Sequence, residues 1–323
     1  KMDKIDILLA TYNGEKFLRE QLDSILNQTY KNFNLIISDD GSEDKTLQIL
    51  KEYQEKDNRV IVYNHKKNLG VISNFEFLLE KVNSKYFMFS DQDDVWNNTK
   101  IEKSLDKLKS ENADLVYTDL EIVDENLKTI YPSYWKYKKI YSKIIKYNNF
   151  NALYLNNFVT GCTILAKSKY ISDILPLPKT SKYVLHDYWT ALVISANGKI
   201  SYLSETTIKY RQHTENRVGS SRKSDQIESF EELRNLFIDV KIEHFEILKR
   251  YQSRIKSQKI TKYTNDALEY FEQLKNVKII NFRKWILYFK LYRYEEFVYS
   301  IQNFIILNIP VLGKIAFKLK KHK

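Results

Sequence analysis

Residues 5–40 read IDILLATYNGEKFLREQLDSILNQTYKNFNLIISDD and contain a strand, a helix and a second strand in succession. The apolar runs at 5–10 and 33–40 have the length and composition of buried strands, and residues 17–28 repeat apolar side chains at helical spacing. A helix that joins two parallel strands makes a right-handed crossover and packs on a face of the sheet. The stretch therefore predicts an α/β fold with a largely parallel sheet.

The alternation of strands and helices continues to about residue 124 and becomes less regular after residue 130. Further strands are predicted at 59–65, 85–94 and 114–124, with helices at 44–56, 72–82 and 99–109. Later segments are predicted as a strand at 159–166, a helix at 186–196, a strand at 199–204, a polar loop at 211–224 and helices from Ser229 onward. We expect an α/β domain over residues 1–220 and a helical region over residues 221–323.

The strongest chemical signal follows the fourth predicted strand, where residues 90–96 read SDQDDVW. Three carboxylates within four residues repel one another unless a cation or water compensates their charge. Mg2+ and Mn2+ take oxygen ligands and keep coordination positions free for diphosphate oxygens. The alternative is an acidic helix N-terminus, where Asp is favoured as a cap and by the helix dipole. Because the cluster follows a fully apolar strand of a parallel sheet, we favour a metal site.

Polar clusters also end the first two predicted strands, TYNGE at 11–15 and SDDGS at 38–42. Ligands bind beyond the carboxyl ends of parallel strands, so one crevice should collect all three clusters. An acid of the second cluster can accept a hydrogen bond from a nucleobase or a ribose, although a capped turn would use the same residues. The first cluster lacks the glycine spacing of a dinucleotide or P-loop site, and its aromatic ring fits base stacking instead.

These segments, in this order, resemble the family 2 glycosyltransferases of the GT-A fold, whose nucleotide-sugar-binding sheet is Rossmann-like and mostly parallel. The resemblance covers residues 4–220 and extends to bacterial rhamnosyltransferases that build cell-wall and capsular polysaccharides. Neighbouring subgroups that transfer other hexoses share the SDQDD segment. The segments that carry the resemblance are IDILLATYNGEKFLREQLDSILNQTY, NLIISDDGSEDKT, NLGVISNF, FSDQDDVW, VTGCTIL, LHDYWTALVISANGKISYLSE and YRQHTENRVG.

The resemblance implies a donor site at the ends of the first strands. Tyr12 would stack near the base of the nucleotide sugar, and Asp40 would hydrogen-bond its imide. Further residues of the same nucleoside pocket would be Asn13, Glu15 and Asn68.

The resemblance also implies a metal site and a catalytic base. Asp91 and Asp93 form the DXD element, with Asp93 in direct contact with Mn2+ or Mg2+ and Asp91 nearer the ribose. His213 lies where related enzymes place a further metal or diphosphate ligand, although a solvent-exposed loop histidine is the simpler interpretation. Asp187 matches the catalytic base, and an N-cap role at the predicted helix would be compatible with catalysis.

Inverting glycosyl transfer explains why such a set of residues is needed. A carboxylate on the face opposite the leaving group must take the proton of the attacking hydroxyl. A cation must stabilise the charge that develops on the departing diphosphate. The acids of the DXD element face the leaving group, so the base has to come from another element, such as the helix that carries Asp187.

The surplus positive charge of the chain lies in its C-terminal tail. The 323 residues carry 52 Lys+Arg and 41 Asp+Glu, a formal charge of +11, and residues 273–323 hold 11 basic and 2 acidic residues. Basic residues beside aromatic residues on helices are typical of an anionic membrane surface. A helical subdomain or a homodimer contact would use the same composition. No DNA- or RNA-binding motif is present, so we favour lipid over nucleic acid.

Two further observations concern the compartment. Cys162 is the single cysteine, which excludes an intramolecular disulfide and suits a reducing interior. The apolar run at 7–10 is far shorter than the core of a signal peptide. We expect a cytoplasmic enzyme, peripheral at the inner face of the bacterial membrane.

The sequence thus predicts a metal-dependent glycosyltransferase that moves L-rhamnose from dTDP-β-L-rhamnose onto a lipid-linked polysaccharide. One alternative is a transferase with a UDP-hexose donor (glucose, galactose or N-acetylhexosamine). A second alternative, from a different class, is a non-catalytic subunit that binds sugar nucleotides.

Overall fold

The computed structural model describes residues 3–181, 183–213, 229–255, 258–276, 286 and 307–308. The chain divides into two compact units. The first consists of Lys1–Leu153, Asn157–Thr180 and Leu185–Asn216, and the second of Tyr154–Asn156, Ser181–Val184 and Arg217–Lys323.

The first unit contains a sheet of nine strands flanked by helices. The strands are β1 Ile5–Thr11, β2 Phe33–Asp39, β3 Val60–Asn64, β4 Tyr86–Ser90, β5 Val95–Trp96, β6 Leu115–Val123, β7 Thr129–Tyr131, β8 Leu165–Lys167 and β9 Ile200–Arg211. The helices that accompany them are α1 Leu18–Leu26, α2 Thr46–Lys56, α3 Val71–Glu80, α4 Lys100–Ser110, α5 Tyr134–Tyr137, α6 Tyr141–Tyr147, α7 Phe150–Leu155, α8 Ile171–Ile174 and α9 His186–Asn197.

The strand order is β3-β2-β1-β4-β8-β6-β9-β5, with β7 paired to β6 off this path. β1 is parallel to both β2 and β4, β2 is parallel to β3, and β6 is parallel to β9. β8 is antiparallel to both β4 and β6, so β4 and β6 run in the same direction. The carboxyl ends of β1, β2, β4 and β6 therefore lie along one edge of the sheet. The polar clusters predicted at the strand ends meet at this edge, where Gln92 contacts Tyr12 and Asn13 contacts Glu43.

The apolar pattern of the sequence accounts for both faces of this sheet. One face buries alternate residues of β1 and β4, such as Ile7 and Met88, in a core that also contains Leu22 of α1 and Leu105 of α4. On the other face Phe75 of α3 packs edge-on against the ring of Phe89, at a centroid distance of 5.4 Å. Because residues on both faces are buried, the central strands consist of nearly continuous apolar runs.

Three boundaries differ from the prediction. The fourth strand ends at Ser90 rather than at residue 94, because the side chain of Gln92 turns back to the backbone of Tyr12. The segment predicted as a strand at 159–166 contains a 3₁₀ turn at Gly161–Thr163 before β8 begins. β9 continues past residue 204 to Arg211, because Ile208 and Lys209 pair with β5.

In its described residues from 229 onward, the second unit is mainly helical, as predicted for the C-terminal region. Its helices are α10 Phe230–Arg250 and α11 Gln258–Asn276, and the rings of Phe245 and Phe271 stack at 5.8 Å. Lys241 is 5% exposed, and its ammonium donates to the carbonyl of Leu155 and the side chain of Asn156. These bonds join α10 to the short segment 154–156.

The basic tail at 273–323 lies mostly outside the described residues, so its predicted membrane contact stays a prediction. Within the described ranges, none of the helices combines the length and the apolar composition that crossing a bilayer requires.

Candidate active site

The acidic loop after β4 places its three aspartates in different environments. Asp94 is fully buried and accepts a hydrogen bond from the backbone N–H of Arg211 at 3.1 Å. The side chain of Asp93 is 16% exposed and that of Asp91 is partly buried. Gln21 of α1 supports the loop, because its side-chain amide donates a hydrogen bond to the carbonyl of Asp91 at 2.8 Å.

Asp93 and His213 are direct neighbours, although 120 residues separate them. Nε2 of His213 lies 2.7 Å from Oδ2 of Asp93, and the His213 side chain is 8% exposed. The ring of Phe17 covers the imidazole at 4.9 Å. The simpler interpretation, a solvent-exposed loop histidine, is therefore wrong. A carboxylate and an imidazole held together in this way can both ligate a hard divalent cation.

A second group of potential ligand atoms lies deeper, on Asp91, Asp94 and Cys162. One ligand atom of each lies within 4.8 Å of the others. Burial, together with the charges of Asp93 and Asp187, raises the pKa of Asp91 to about 7, and burial raises that of Asp94 well above its usual range. Oδ2 of Asp94 has no hydrogen-bond partner among the described residues.

The negative charges of the acidic loop, together with the imidazole of His213, thus fit a divalent cation. Several acids face one another beside one histidine, and Oδ2 of Asp94 accepts no hydrogen bond from the described residues. A 2+ ion compensates the charge of such a group. Burial raises the pKa of the Cys162 thiol well above its usual value, so it remains a neutral, small side chain.

Arg211 organises the acidic loop, a role that the sequence analysis did not identify. The residue is 1% exposed, and its Nε donates to the carbonyl of Asp93 at 2.8 Å. Its guanidinium also pairs with Glu20 of α1 and lies 4.4 Å above the ring of Phe17. The sequence offers one signal for this role, an arginine two positions before His213. It does not show which residues Arg211 contacts, because they are far away in the chain.

The loop after β1 is tied to both neighbouring loops. The amide of Gln92 accepts from the N–H of Tyr12 at 2.8 Å and donates to its carbonyl at 3.0 Å. The Tyr12 side chain is 43% exposed and so is accessible for stacking. Oδ1 of Asn13 accepts from the N–H of Glu43, and Oε2 of Glu15 from that of Lys45, both at 2.9 Å. Asn13 and Glu15 therefore hold the turn after β2 in place.

Asp40 and Asn68 meet at the start of α3. Asp40 is 3% exposed, and its two oxygens accept from the N–H groups of Leu69 at 2.7 Å and Gly70 at 2.9 Å. Oδ1 of Asn68 also accepts from the N–H of Gly70, at 3.0 Å. A nucleobase can use only the remaining lone pairs of Asp40. Its neighbour Asp39 is fully buried and holds the turn after β2 through Ser42.

Asp187 lies in the first turn of α9 and is oriented by backbone donors. Its Oδ2 accepts from the N–H of Gly161 at 3.0 Å, and its Oδ1 from that of Tyr188 at 2.7 Å. α9 begins at His186 with Leu185 at the N-cap, so the proposed N-cap role of Asp187 is wrong by two positions. The charge of Asp187 contributes to the raised pKa of Asp91, so the two carboxylates lie close enough to interact.

The ring of His186, beside Asp187, packs among aromatic side chains. Its ring stacks on Phe75 at 3.7 Å and meets Phe89 edge-on at 4.9 Å. Burial lowers the pKa of His186 to about 4, so the ring is neutral near pH 7. A Cβ at Gly161 would lie 3.0 Å from Cβ of Asp187, which explains the glycine at this close approach.

Comparison with known proteins identifies the family. Residues 6–175 match the family described as Glycosyl transferase family 2. The chain belongs to this family. It is 31% identical over 236 residues to an uncharacterised glycosyltransferase of Rickettsia typhi, covering 72% of this chain and 71% of the relative. It is 30% identical over 224 residues to the dTDP-rhamnosyl transferase RfbG of Shigella flexneri, covering 66% and 74%.

Solved structures confirm the GT-A fold of this family 2 glycosyltransferase. TarS 1–349 of S. aureus in complex with UDP has a TM-score of 0.56 and 19% identity, covering 93% of this chain and 80% of that one. The mannosyltransferase PcManGT of Pyrobaculum calidifontis, in complex with GDP-Man and Mn2+, has a TM-score of 0.54 and 12% identity, covering 100% and 89%.

Gly14 offers a direct test of the loop that follows β1. A Cβ at this position would lie 2.4 Å from Oε1 of Gln92, so Gly14→Ala should displace the Gln92 amide and release the backbone of Tyr12. The loss of two hydrogen bonds, about 1 kcal/mol each, should weaken nucleotide binding by roughly 10- to 30-fold. Titration calorimetry with the nucleoside diphosphate measures this change.

The double variant Gly14→Ala/Gln92→Ala is the control for Gly14. It should bind no more weakly than Gln92→Ala alone, because both changes remove the same contact. Additive losses in the double variant would contradict the role of Gln92.

Proposed function

We propose that this glycosyltransferase transfers a sugar with inversion from a nucleotide sugar to an acceptor hydroxyl, with Asp187 as the general base. The observation that carries the proposal is the fixed position of the Asp187 carboxylate beside the acidic loop. Two backbone N–H groups orient it, and α9 adds the positive end of its dipole.

The proton balance of the reaction gives Asp187 its role. The acceptor oxygen forms a bond to the anomeric carbon while the bond from that carbon to the diphosphate oxygen breaks. The proton of the acceptor hydroxyl passes to a carboxylate oxygen of Asp187, and the nucleoside diphosphate departs on the opposite face. Each Asp187 oxygen accepts one hydrogen bond from the backbone and keeps a lone pair for this proton.

Asp93 and His213, with Asp91 beside them, are the residues that would hold a divalent metal, Mn2+ or Mg2+. When bound, the metal supplies positive charge for the leaving diphosphate. The contributions of the chain itself are to hold Asp93 through Arg211 and to orient His213 against Phe17.

The nucleoside would lie against the loops after β1 and β2. Tyr12 offers an exposed ring, and Asp40 and Asn68 offer acceptor lone pairs at the start of α3. Asn13 and Glu15 would line the pocket while they hold the turn at residues 43–45.

The proposed donor is dTDP-β-L-rhamnose. It is supported by the 30% identity to a dTDP-rhamnosyl transferase over two thirds of this chain. The proposed acceptor is a lipid-linked polysaccharide of the cell wall or capsule, which the enzyme would reach as a peripheral protein at the cytoplasmic membrane face.

A panel of nucleotide sugars tests the donor. With Mn2+ present, we expect release of nucleoside diphosphate from dTDP-rhamnose to exceed release from UDP-glucose, UDP-galactose and UDP-N-acetylglucosamine by at least about 10-fold in kcat/KM. Turnover of a UDP-hexose alone would identify the alternative donor class. Tight metal-dependent binding of a nucleotide without turnover on any acceptor would instead indicate the non-catalytic subunit.

A further inference from the structure

Residues 128–147 concentrate basic and aromatic side chains in the first unit. The segment reads KTIYPSYWKYKKIYSKIIKY and contains no acid. We call it the lysine–aromatic surface. Its six lysines are Lys128, Lys136, Lys138, Lys139, Lys143 and Lys146. Segments with this composition are typical of proteins that bind anionic surfaces.

Large apolar side chains of this segment are exposed. Ile130 is 47% exposed, Tyr131 39%, Tyr137 39% and Ile145 49%. The rings of Tyr131 and Tyr137 stack at 3.9 Å, with the ammonium of Lys138 5.0 Å above the second ring. Exposed apolar side chains next to positive charge are typical of an interaction surface.

Five of the six lysines of this surface form no ion pair with an acid in the part of the chain that the structure describes. Among the described residues, no ion pair involves Lys128, Lys136, Lys138, Lys139 or Lys146. Lysines elsewhere in the same unit do form such pairs, for example Lys16 with Glu125 and Lys107 with Glu111. The charges of these five lysines are therefore available to an external anion.

We propose that the lysine–aromatic surface docks on an anionic lipid bilayer. The tyrosine rings fit the interfacial layer, Ile130 and Ile145 fit the acyl boundary, and the lysines meet anionic headgroups. A nucleic acid would use the lysines and the rings, but it offers nothing to the exposed isoleucines. The lipid surface is the partner whose chemistry matches both kinds of side chain.

The location of the surface connects it with the active site. β7 pairs with the end of β6, where Tyr131 lies opposite Ile122. Since β6 runs in the same direction as β4, this hairpin lies at the edge of the sheet that carries the acidic loop. Docking there would turn this edge toward the membrane and bring a lipid-linked acceptor near the acidic loop. Only this link to the acceptor rests on the proposed function.

A cavity of about 350 Å³ is built partly from the same segment. It is lined by Pro132, Ser133, Lys136 and Tyr141 of the segment, by Asp119 of β6, and by Ser204, Glu205 and Thr206 of β9. Its volume is at the lower end of ligand pockets, so a sugar unit carried on a docked lipid has room beside the surface.

Vesicle sedimentation of the full chain tests the proposal without any donor. We expect binding to phosphatidylcholine vesicles that contain about one third phosphatidylglycerol and little binding to phosphatidylcholine alone. Lys138→Gln/Lys139→Gln should weaken this binding by about 30-fold, which corresponds to about 1 kcal/mol per lysine. Lys51→Gln/Lys56→Gln removes two lysines of α2 that are also exposed and is the matched control. Equal loss in the two variants, or no loss in the first, would overturn the proposal.

Insertion is tested separately with tryptophan probes. Brominated lipid should quench the added fluorescence of Ile145→Trp but not that of Leu236→Trp, whose side chain is 39% exposed in the second unit. The surface would be assigned to nucleic acid instead if two results were found together. Brominated lipid would not quench Ile145→Trp, and the chain would bind single-stranded RNA as tightly as anionic vesicles. Asp187→Asn should bind vesicles like the wild type, so failure of the catalytic proposal would leave this result unchanged.

Discussion

Replacing Asp187 with asparagine should lower kcat by about 10²- to 10⁴-fold while the donor still binds, because a positioned general base contributes that much to rate. Asparagine has nearly the shape of aspartate, and its carbonyl oxygen can keep the hydrogen bond from the N–H of Tyr188. What it lacks is the ability to take the proton of the acceptor hydroxyl. Initial rates at saturating donor and acceptor, together with nucleotide titration, separate the catalytic loss from a binding loss.

Asp106→Asn is the matched control for Asp187, since Asp106 is an exposed aspartate on α4 of the same unit. It should retain full activity. Wild-type kcat in Asp187→Asn would remove the base assignment. A large loss of nucleotide affinity in that variant would point to a collapsed site, and Asp187→Glu, which retains a carboxylate, should then recover part of the rate.

The second large effect is expected at the Asp93–His213 pair. Asp93→Ala should weaken Mn2+ binding by at least about 100-fold and lower the rate at sub-saturating metal by about 10³-fold, since the metal supplies several kcal/mol to charge stabilisation. His213→Gln should weaken Mn2+ binding less, because glutamine offers an oxygen in place of the imidazole. Titration of Mn2+ followed by paramagnetic resonance measures both affinities.

The histidine control for this pair is His244→Gln. His244 is buried in the second unit, where burial lowers its pKa to about 3 and its ring bonds the carbonyl of Tyr154. Its loss should leave Mn2+ affinity unchanged. Unaltered Mn2+ affinity in both Asp93→Ala and His213→Gln would show that the metal does not bind at this pair.

Much of the first unit could be predicted from local patterns. The apolar runs at 5–10 and 33–40 and the amphipathic stretch between them correspond to β1, β2 and α1 within two residues at each end. Such patterns succeed because a buried strand and a one-sided helix have different apolar periods, 2 and 3.6 residues. The acidic loop at the end of β4 was predictable for the same reason, since a polar cluster after a buried strand lies at the edge of the sheet.

The partners of the site residues could not be predicted in this way. The pairing of Gln92 with Tyr12 spans 80 residues, that of His213 with Asp93 spans 120, and that of Arg211 with Glu20 spans 191. The strand order brings these residues together although they are far apart in the chain. In this order β8 lies between β4 and β6, and β9 lies beside β6. A local period carries no information about which strands become neighbours.

Local sequence patterns determine some features of this protein, and tertiary packing determines the others. The sequence by itself determined the α/β class, the acids at the strand ends, Asp187 at the start of a helix, and the charge of the chain. Only the tertiary structure showed that Arg211 holds the acidic loop, that His213 is covered, and that exposed apolar side chains gather at residues 128–147. Periodicity and composition act between near neighbours in the chain, whereas a site and a docking surface are made by residues that only the packed sheet brings together.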